Sequence, residues 1–137
     1  MIIENTEDIN SKNDFGRTPI HEAASCGHFE VSKLIIEKIE DKNPKSNHGE
    51  TPLHLAAKSG HFEVCKLIIE NTEDINPKND FFGLTPLHLA TRNGHLEVCK
   101  LIIANTEERN PIDNFGLTPK DYANKNKSYS EIMKILE

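Results

Sequence analysis

The stretch that decides the fold is "TPLHLAAKSGHFEVCKLIIE" at residues 51–70, because it recurs as "TPLHLATRNGHLEVCKLIIA" at residues 85–104. Over the 26 residues that follow from each Thr-Pro, these two copies share 19 identical positions, and an earlier copy shares 18 with the first of them. The Thr-Pro pairs are spaced by 33, 34 and 33 residues, at Thr18, Thr51, Thr85 and Thr118. A period of this length indicates a repeat protein, in which each unit packs on its neighbours.

Each unit predicts two short antiparallel helices followed by an extended turn. Thr51 is a favourable N-cap, and Pro52 suits the first helical position because an N–H there would have no partner within the helix. Gly60 accepts the left-handed conformation in which many helices end. The second helix is predicted from about Phe62 to Glu70, and its many apolar residues require burial against neighbouring units.

The three complete units share one motif, which reads "GRTPIHEAASCGHFEV", "GETPLHLAAKSGHFEV" and "GLTPLHLATRNGHLEV". Together with the period, this motif resembles the ankyrin repeat family over essentially the whole chain. The resemblance implies an all-α repeat solenoid, in which each helix-turn-helix unit carries a β-turn or hairpin finger. It also implies that the protein is a protein–protein interaction module.

The repeat pattern predicts a single domain with unequal ends. The opening "MIIENTEDIN" matches the tail of a unit, and the last unit has Asp121 in place of the histidine and lacks the Gly-His pair. The extra residue of the 34-residue interval falls at "DFFG" and is expected at a turn tip, where it disturbs no packing. The predicted segments are a partial repeat at 1–12, three full repeats at 13–45, 46–78 and 79–112, and a degenerate C-terminal capping repeat at 113–137.

One departure from the family concerns the end of the second helix. The family usually has a glycine in a left-handed turn there, whereas this chain has Ile39, Thr72 and Thr106. A β-branched residue at positive φ is a genuine outlier. We therefore expect these helices to end without a left-handed residue.

The composition excludes several classes of protein. The 137 residues suit one modest domain, and 36% hydrophobic with 28% charged residues is typical of a soluble globular chain. A net charge of −6 without a run of Lys or Arg argues against nucleic-acid binding. No stretch approaches the roughly 18 apolar residues of a membrane span, and the first ten residues show no signal-peptide pattern. Three cysteines, an odd number, favour a reducing compartment, and we expect a cytoplasmic or nuclear monomer.

The histidines form two repeated sets rather than a metal cluster. Copies at one repeat position lie roughly 10 Å apart along the stack, so they do not converge on a single ion. The resemblance implies that the first set bonds near the Thr-Pro cap and that the second set orders the turn between the helices. The first set is His21, His54 and His88, and the second set is His28, His61 and His95.

The cysteines give no support for an enzyme. Cys65 and Cys99 share one position and are expected to be buried free thiols, since a repeat rise exceeds the reach of a disulfide. Cys26 has no activating base beside it in the pattern. We predict neither catalysis nor a cofactor nor a metal.

The positions that differ between units predict where a partner protein binds, because the fold does not require them to agree. They fall in the turn tips and at the ends of the first helices, and the resemblance implies that both line one concave groove. The predicted residues are Asp14, Phe15, Arg17, Glu22, Ser25, Cys26, Asn47, His48, Glu50, Lys58, Ser59, Asp80, Phe81, Phe82, Leu84, Arg92, Asn93, Asn114, Phe115 and Leu117.

Two alternatives stay open at this stage. The tip phenylalanines either contact a partner or pack between adjacent fingers, and Leu84 and Leu117 beside them favour contact. The chain as a whole is either an interaction module or a structural scaffold without a partner of its own. In the second case the opening half repeat favours a fragment of a longer ankyrin array, and the near-identity of the units fits a recently expanded or engineered, consensus-like one.

Overall fold

The computed structural model describes residues 9–123 and 130–136, so most of the predicted partial repeat and part of the predicted capping repeat lie outside the described residues. Within these ranges the chain forms eight helices and no strand. They are α1 (Pro19–Cys26), α2 (Phe29–Lys38), α3 (Pro52–Ser59), α4 (Phe62–Glu70), α5 (Pro86–Arg92), α6 (Leu96–Ala104), α7 (Pro119–Ala123) and α8 (Ser130–Leu136).

Two layers of helices enclose one continuous core. The odd-numbered helices pack side by side in one layer, the even-numbered helices form the other, and each pair within a unit is in contact. Branched aliphatic side chains at equivalent repeat positions fill the space between the layers. At most 1% of the surface is exposed for Ile20, Leu53 and Leu87 from the first layer and for Ile35, Ile68 and Ile102 from the second. This stacking confirms the predicted all-α repeat solenoid.

A reciprocal cap begins the first helix of the repeat. In α3 the Thr51 side chain accepts a hydrogen bond from the His54 N–H at 3.3 Å, and the Thr51 N–H donates to His54 Nδ1 at 3.0 Å. This is a capping box with histidine in place of the usual Glu or Gln, and the start of α5 repeats it. At the other end of α3, Gly60 has a left-handed φ of 77°. The predicted cap, the predicted stop and the second helix over Phe62–Glu70 are confirmed.

The second helices end without left-handed residues, as expected. In the described part of the chain, glycines alone have positive φ. The C-cap residues Asn71 and Asn105 each donate a side-chain N–H to a carbonyl of the preceding turn at 2.8 Å. α2 instead stops at an extended Ile39, whose carbonyl accepts from the Lys42 ammonium. Side-chain donors thus satisfy the terminal carbonyls that a glycine turn would satisfy elsewhere.

Buried histidines join successive units. Because His54 Nδ1 accepts from the Thr51 N–H, Nε2 carries the proton and donates to the Leu84 carbonyl of the next unit at 2.8 Å. His21 and His88 make the equivalent bond at 2.8 and 2.9 Å. Burial is the main cause that lowers the pKa of all three, to about 4 for His54. The predicted bonds at the Thr-Pro cap are confirmed, and each neutral imidazole also links two units.

The second histidine set orders the turn between helices, as predicted, in two of its three members. His61 Nε2 donates to the Ser25 carbonyl of the preceding unit at 3.1 Å, and His95 Nε2 donates to the Lys58 carbonyl at 3.0 Å. His28, in the first complete unit, is exposed, and its side chain caps no helix. The bonds again run between units, so both sets hold the stack together.

The last unit keeps the cap but changes its chemistry. Asp121 Oδ2 accepts from the Thr118 N–H at 2.7 Å, and the Asp121 N–H donates to Thr118 Oγ1 at 3.4 Å. A carboxylate preserves the capping box, but it has no N–H with which to reach a further unit. Beside it, the Tyr122 hydroxyl donates to Asp113, and burial together with this bond raises the Tyr122 pKa to about 12.

Candidate partner-binding surface

A short polar side chain closes each finger, which we define as residues 13–17, 46–50, 79–84 and 113–117. Asn13 Oδ1 accepts from the N–H groups of Phe15 and Arg17 at 2.9 and 3.0 Å. The equivalent side chains that accept two N–H groups in the other fingers are Ser46, Asn79 and Asp113. The sequence reasoning missed this role. Its signal is a small acceptor, Asn, Ser or Asp, at one position in all four units.

Backbone hydrogen bonds connect neighbouring fingers. The Asn47 N–H donates to the Phe15 carbonyl at 2.9 Å, the Asp80 N–H to the His48 carbonyl at 2.8 Å, and the Asn114 N–H to the Phe82 carbonyl at 2.7 Å. The third finger contains the extra residue, yet it keeps its hydrogen bonds to the second finger and to the fourth. The insertion therefore lies at the turn tip, as predicted, and the packing of the stack continues past it.

Four aromatic rings form one row along the second, third and fourth fingers. The ring centroids of His48 and Phe81 are 4.6 Å apart, and those of Phe81 and Phe82 are 6.2 Å apart. The row ends with Phe82 and Phe115 at 5.5 Å. Since the Phe82 carbonyl makes the regular bond between fingers, Phe81 is the additional residue, and its ring bridges His48 and Phe82. We name these four residues the aromatic ridge.

The rings of the ridge contact each other and also face solvent. Phe81, Phe82 and Phe115 are 61%, 47% and 66% exposed. Phe15, on the first finger, is 60% exposed and has no ring partner among residues 9–123 and 130–136. The two interpretations of the phenylalanines are therefore compatible: the ridge rings pack between fingers and still leave about half or more of their surface open.

At the other end of the surface, the first finger meets the exposed side of α1. Arg17 Nη1 lies 3.8 Å from Glu22 Oε1, and Arg17 Nη2 lies 3.7 Å from Glu50 Oε1 on the second finger. The Asn13 side-chain amide also donates to the Glu22 carboxylate at 3.4 Å. The first two fingers and α1 thus share one polar, partly ion-paired surface.

Nearly all the predicted partner-binding residues are accessible. Those that are exposed are Asp14, Phe15, Cys26, Asn47, His48, Lys58, Ser59, Asp80, Phe81, Phe82, Arg92, Asn93, Asn114 and Phe115. Those that are half-buried are Arg17, Glu22, Ser25, Glu50 and Leu117.

Leu84 is the one predicted partner-binding residue that is buried. It is 4% exposed, so its side chain offers no contact surface, and the expectation that it extends the apolar tip was wrong. Arg17 and Glu50 stand at the same repeat position, where a charged end group keeps the side chain partly in water. The apolar side chain of Leu84 has no such requirement and is buried in the stack. Its carbonyl serves the fold by accepting from His54.

Two of the three thiols are buried in the core, and the third, Cys26, is exposed. Cys65 and Cys99 are buried and free, and burial raises their pKa to about 12 and about 11. A thiol that holds its proton this strongly is a poor nucleophile. Within the described ranges, no group of three His, Cys, Asp or Glu side chains is placed to hold a metal ion.

A family model described as ankyrin repeats (3 copies) matches residues 1–79 and again residues 73–137. A search of curated proteins gave no match. Because the two matches together span the sequence, the chain belongs to the ankyrin repeat family. Proteins of this family are generally protein–protein interaction modules and are typically not enzymes. None of the helices that the structure describes is long and apolar enough to cross a membrane.

Proposed function

We propose that this chain recognises a partner protein through its finger tips and the exposed C-terminal ends of the first helices. The observation that carries the proposal is the aromatic ridge, in which three phenylalanines lie side by side and are each about half or more exposed. Contiguous exposed apolar patches are uncommon on monomeric proteins and mark interaction sites. Aromatic side chains are also the ones that most often dominate binding energy.

The rigidity of the fingers supports the same function. Each tip is closed by a side-chain acceptor and tied to the next tip by a backbone hydrogen bond of 2.7–2.9 Å. A surface that is already ordered loses little conformational entropy when a partner binds. The ridge is thus suited to hold apolar groups in fixed positions.

The surface also has the composition of an interface with an apolar centre and a polar margin. Polar residues are also exposed on the first helices, with Lys58 and Ser59 at the end of α3 and Arg92 at the end of α5. The Arg17 cluster with Glu22 and Glu50 adds polar groups on the N-terminal side. Interfaces usually combine a buried aromatic core with such a rim.

Affinity capture with a finger variant tests the proposal. The four exposed phenylalanines, Phe15, Phe81, Phe82 and Phe115, are changed together to Ser in a tagged chain, which is expressed alongside the wild type in the cells that make the protein. We expect the wild type to retain a protein that the variant loses, with at least a tenfold weaker affinity when the pair is purified. Truncating one central aromatic anchor alone often costs 2 kcal/mol or more.

Leu34→Ser provides the matched control. Leu34 is 54% exposed on α2, in the second layer of helices, so it tests the loss of an exposed apolar side chain away from the fingers. The control is expected to retain the same partner and the same melting temperature. If the finger variant binds as the wild type does, recognition lies elsewhere. If it loses melting temperature and neither chain retains a partner, the scaffold alternative is favoured.

A further inference from the structure

We propose that the partner segment on the aromatic ridge is a basic amphipathic helix, with one apolar stripe and Lys or Arg along its flanks. The inference rests on the proposed function and adds the chemistry of the partner. Two features of the described residues carry it, namely the spacing of the ridge rings and the charge of the finger tips.

The spacing of the rings fits the side of a helix. Successive ring centroids from His48 to Phe115 are 4.6, 6.2 and 5.5 Å apart. Side chains three and four residues apart on one helix face are separated by about 5–6 Å. Side chains on one face of an extended strand are separated by roughly 6.6 Å, twice the rise per residue. A helix can therefore place consecutive stripe residues against consecutive gaps in the ridge, as helices do in apolar grooves.

Phe81 is what makes this match possible. It is the extra residue of the third finger, and its ring occupies the space between His48 and Phe82. Without it, neither His48 nor Phe82 would have this ring as a neighbour. The insertion therefore links the tip side chains of the second and third fingers, and the row continues to the fourth finger through Phe82.

The charge at the tips favours a cationic partner. The tip residues 14–16, 47–49, 80–83 and 114–116 include the carboxylates of Asp14 and Asp80 and no Lys or Arg. Both aspartates are exposed, and Asp80 directly precedes the ridge residue Phe81. Next to the tips, Arg17 is shared between Glu22 and Glu50, which leaves that cluster with an excess of negative charge. The chain as a whole carries −6.

The basic residues of the proposed surface lie outside the tips, and Lys58 and Arg92 are at the ends of α3 and α5. Lys12, Lys45 and Lys78 each directly precede the first residue of a finger. Asp14 and Asp80 are therefore the formally charged residues of the tips themselves.

Exposed rings and nearby carboxylates suit Lys and Arg side chains in two ways. A guanidinium or ammonium group over a phenyl face gains cation–π attraction, and its long aliphatic stem covers apolar surface. The charged end can then approach Asp80 or Asp14. An acidic helix with the same apolar stripe would meet repulsion at both positions, so charge selects between two otherwise equal ligands.

Three designed peptides of about 18 residues test the inference by fluorescence anisotropy against the full chain. The first has a Leu stripe with Lys and Arg flanks, the second has the same stripe with Glu flanks, and the third scrambles the first so that no stripe remains. We expect the basic striped peptide to bind at least tenfold more tightly than either of the others. Its affinity should fall as salt is raised, because exposed charges are screened.

Variants of the chain locate the binding. Changing Phe81, Phe82 and Phe115 to Ser should lower the affinity for the basic peptide at least tenfold. Phe115→Ser alone is a second variant, in case the triple change unfolds the fingers. Asp14→Asn combined with Asp80→Asn should lower this affinity several-fold and reduce its dependence on salt. Leu34→Ser should leave it unchanged. Melting temperatures of all variants are measured in parallel.

Several outcomes would overturn the inference. These are equal binding of the acidic or scrambled peptide, basic-peptide binding that ignores the phenylalanine variants, and binding of no peptide at all. A wild type that self-associates while the phenylalanine variant sediments as a monomer would make a second copy of the chain the occupant. In each case, capture of a partner that depends on the finger phenylalanines would still support the proposed function, so the two failures are distinguishable.

Discussion

Ser32 is the residue at which one unit buries an unpaired hydroxyl where its copies bury a thiol. It stands in α2 where the next units have Cys65 and Cys99, all three are 0% exposed, and its hydroxyl oxygen has no hydrogen-bond partner in the described part of the chain. A buried polar group without a partner costs about 1–3 kcal/mol. We expect Ser32→Cys to raise the free energy of unfolding by about 1 kcal/mol, measured by urea denaturation.

The opposite change provides the control. Cys65→Ser places a hydroxyl into the equivalent pocket of the next unit and should lower the free energy of unfolding by a similar amount. A loss of stability in Ser32→Cys would show that the hydroxyl has a partner after all, such as a water molecule.

His61 and His28 form a second matched pair of residues. They share one repeat position, but His61 Nε2 donates to the Ser25 carbonyl at 3.1 Å, whereas His28 is exposed. We expect His61→Ala to lower the free energy of unfolding by about 1–2 kcal/mol, because it removes the bond and leaves the carbonyl unpaired. His28→Ala should stay within about 0.5 kcal/mol of the wild type. Equal losses in the two variants would mean that the link between units contributes nothing.

At the scale of elements, two finger glycines allow the cost of a strained backbone to be compared with the cost of a lost contact between units. Gly16 and Gly116 both have left-handed backbones, with φ of 73° and 77°. A Cβ on Gly16 would lie 2.7 Å from the Asn47 backbone nitrogen, which donates to the Phe15 carbonyl, whereas a Cβ on Gly116 meets nothing within 4 Å. Gly116→Ala should therefore cost only the left-handed strain, about 1–2 kcal/mol.

Gly16→Ala should cost at least about 1 kcal/mol more, because the finger-to-finger hydrogen bond must also break. Chemical denaturation compares the two variants, and amide exchange at Asn47 reports the broken bond directly. Equal stabilities together with a protected Asn47 amide would show that neighbouring fingers are not held by this contact.

The helices were predictable because their signals are local and repeated. Thr51, Pro52 and Gly60 act within one turn of the backbone, and the structure has the cap and the stop where these residues are. The replacement of the usual glycine by Ile39, Thr72 and Thr106 predicted that no left-handed residue occurs there. The way in which the helices end was not predictable, because it depends on the reach of the Lys42 and Asn71 side chains.

The candidate surface was less predictable, because it depends on the distance between units. Variation among copies identified residues that are exposed, since the core tolerates little variation. It did not separate Leu84, which is buried, from Leu117 at the same repeat position, which is half-buried. Nor did it predict that Phe81 bridges His48 and Phe82, since ring contacts between fingers follow from the stacking and not from either unit alone.

For the whole molecule, the dependence of stability on pH tests whether the row of neutral histidines holds the stack together. Burial is the main reason that the pKa of His21, His54 and His88 is lowered, from 6.5 to about 4 for His54. Below pH 6.5 the unfolded chain therefore binds protons that the folded chain does not, so stability falls as pH falls towards the folded pKa. His54 alone accounts for about 2 kcal/mol of this loss at pH 5. Urea unfolding from pH 7 to pH 5 measures it.

His54→Gln shows whether the loss comes from these imidazoles. Gln supplies a side-chain oxygen for the cap, as in an ordinary capping box, but it does not titrate in this range. The variant should therefore be less stable at pH 7, where the bond to the Leu84 carbonyl is altered, and its stability should fall less steeply as the pH is lowered. An unchanged slope would place the acid sensitivity in other groups. A shallower slope would assign part of the acid sensitivity to the protonation of His54, whose ring links two neighbouring units.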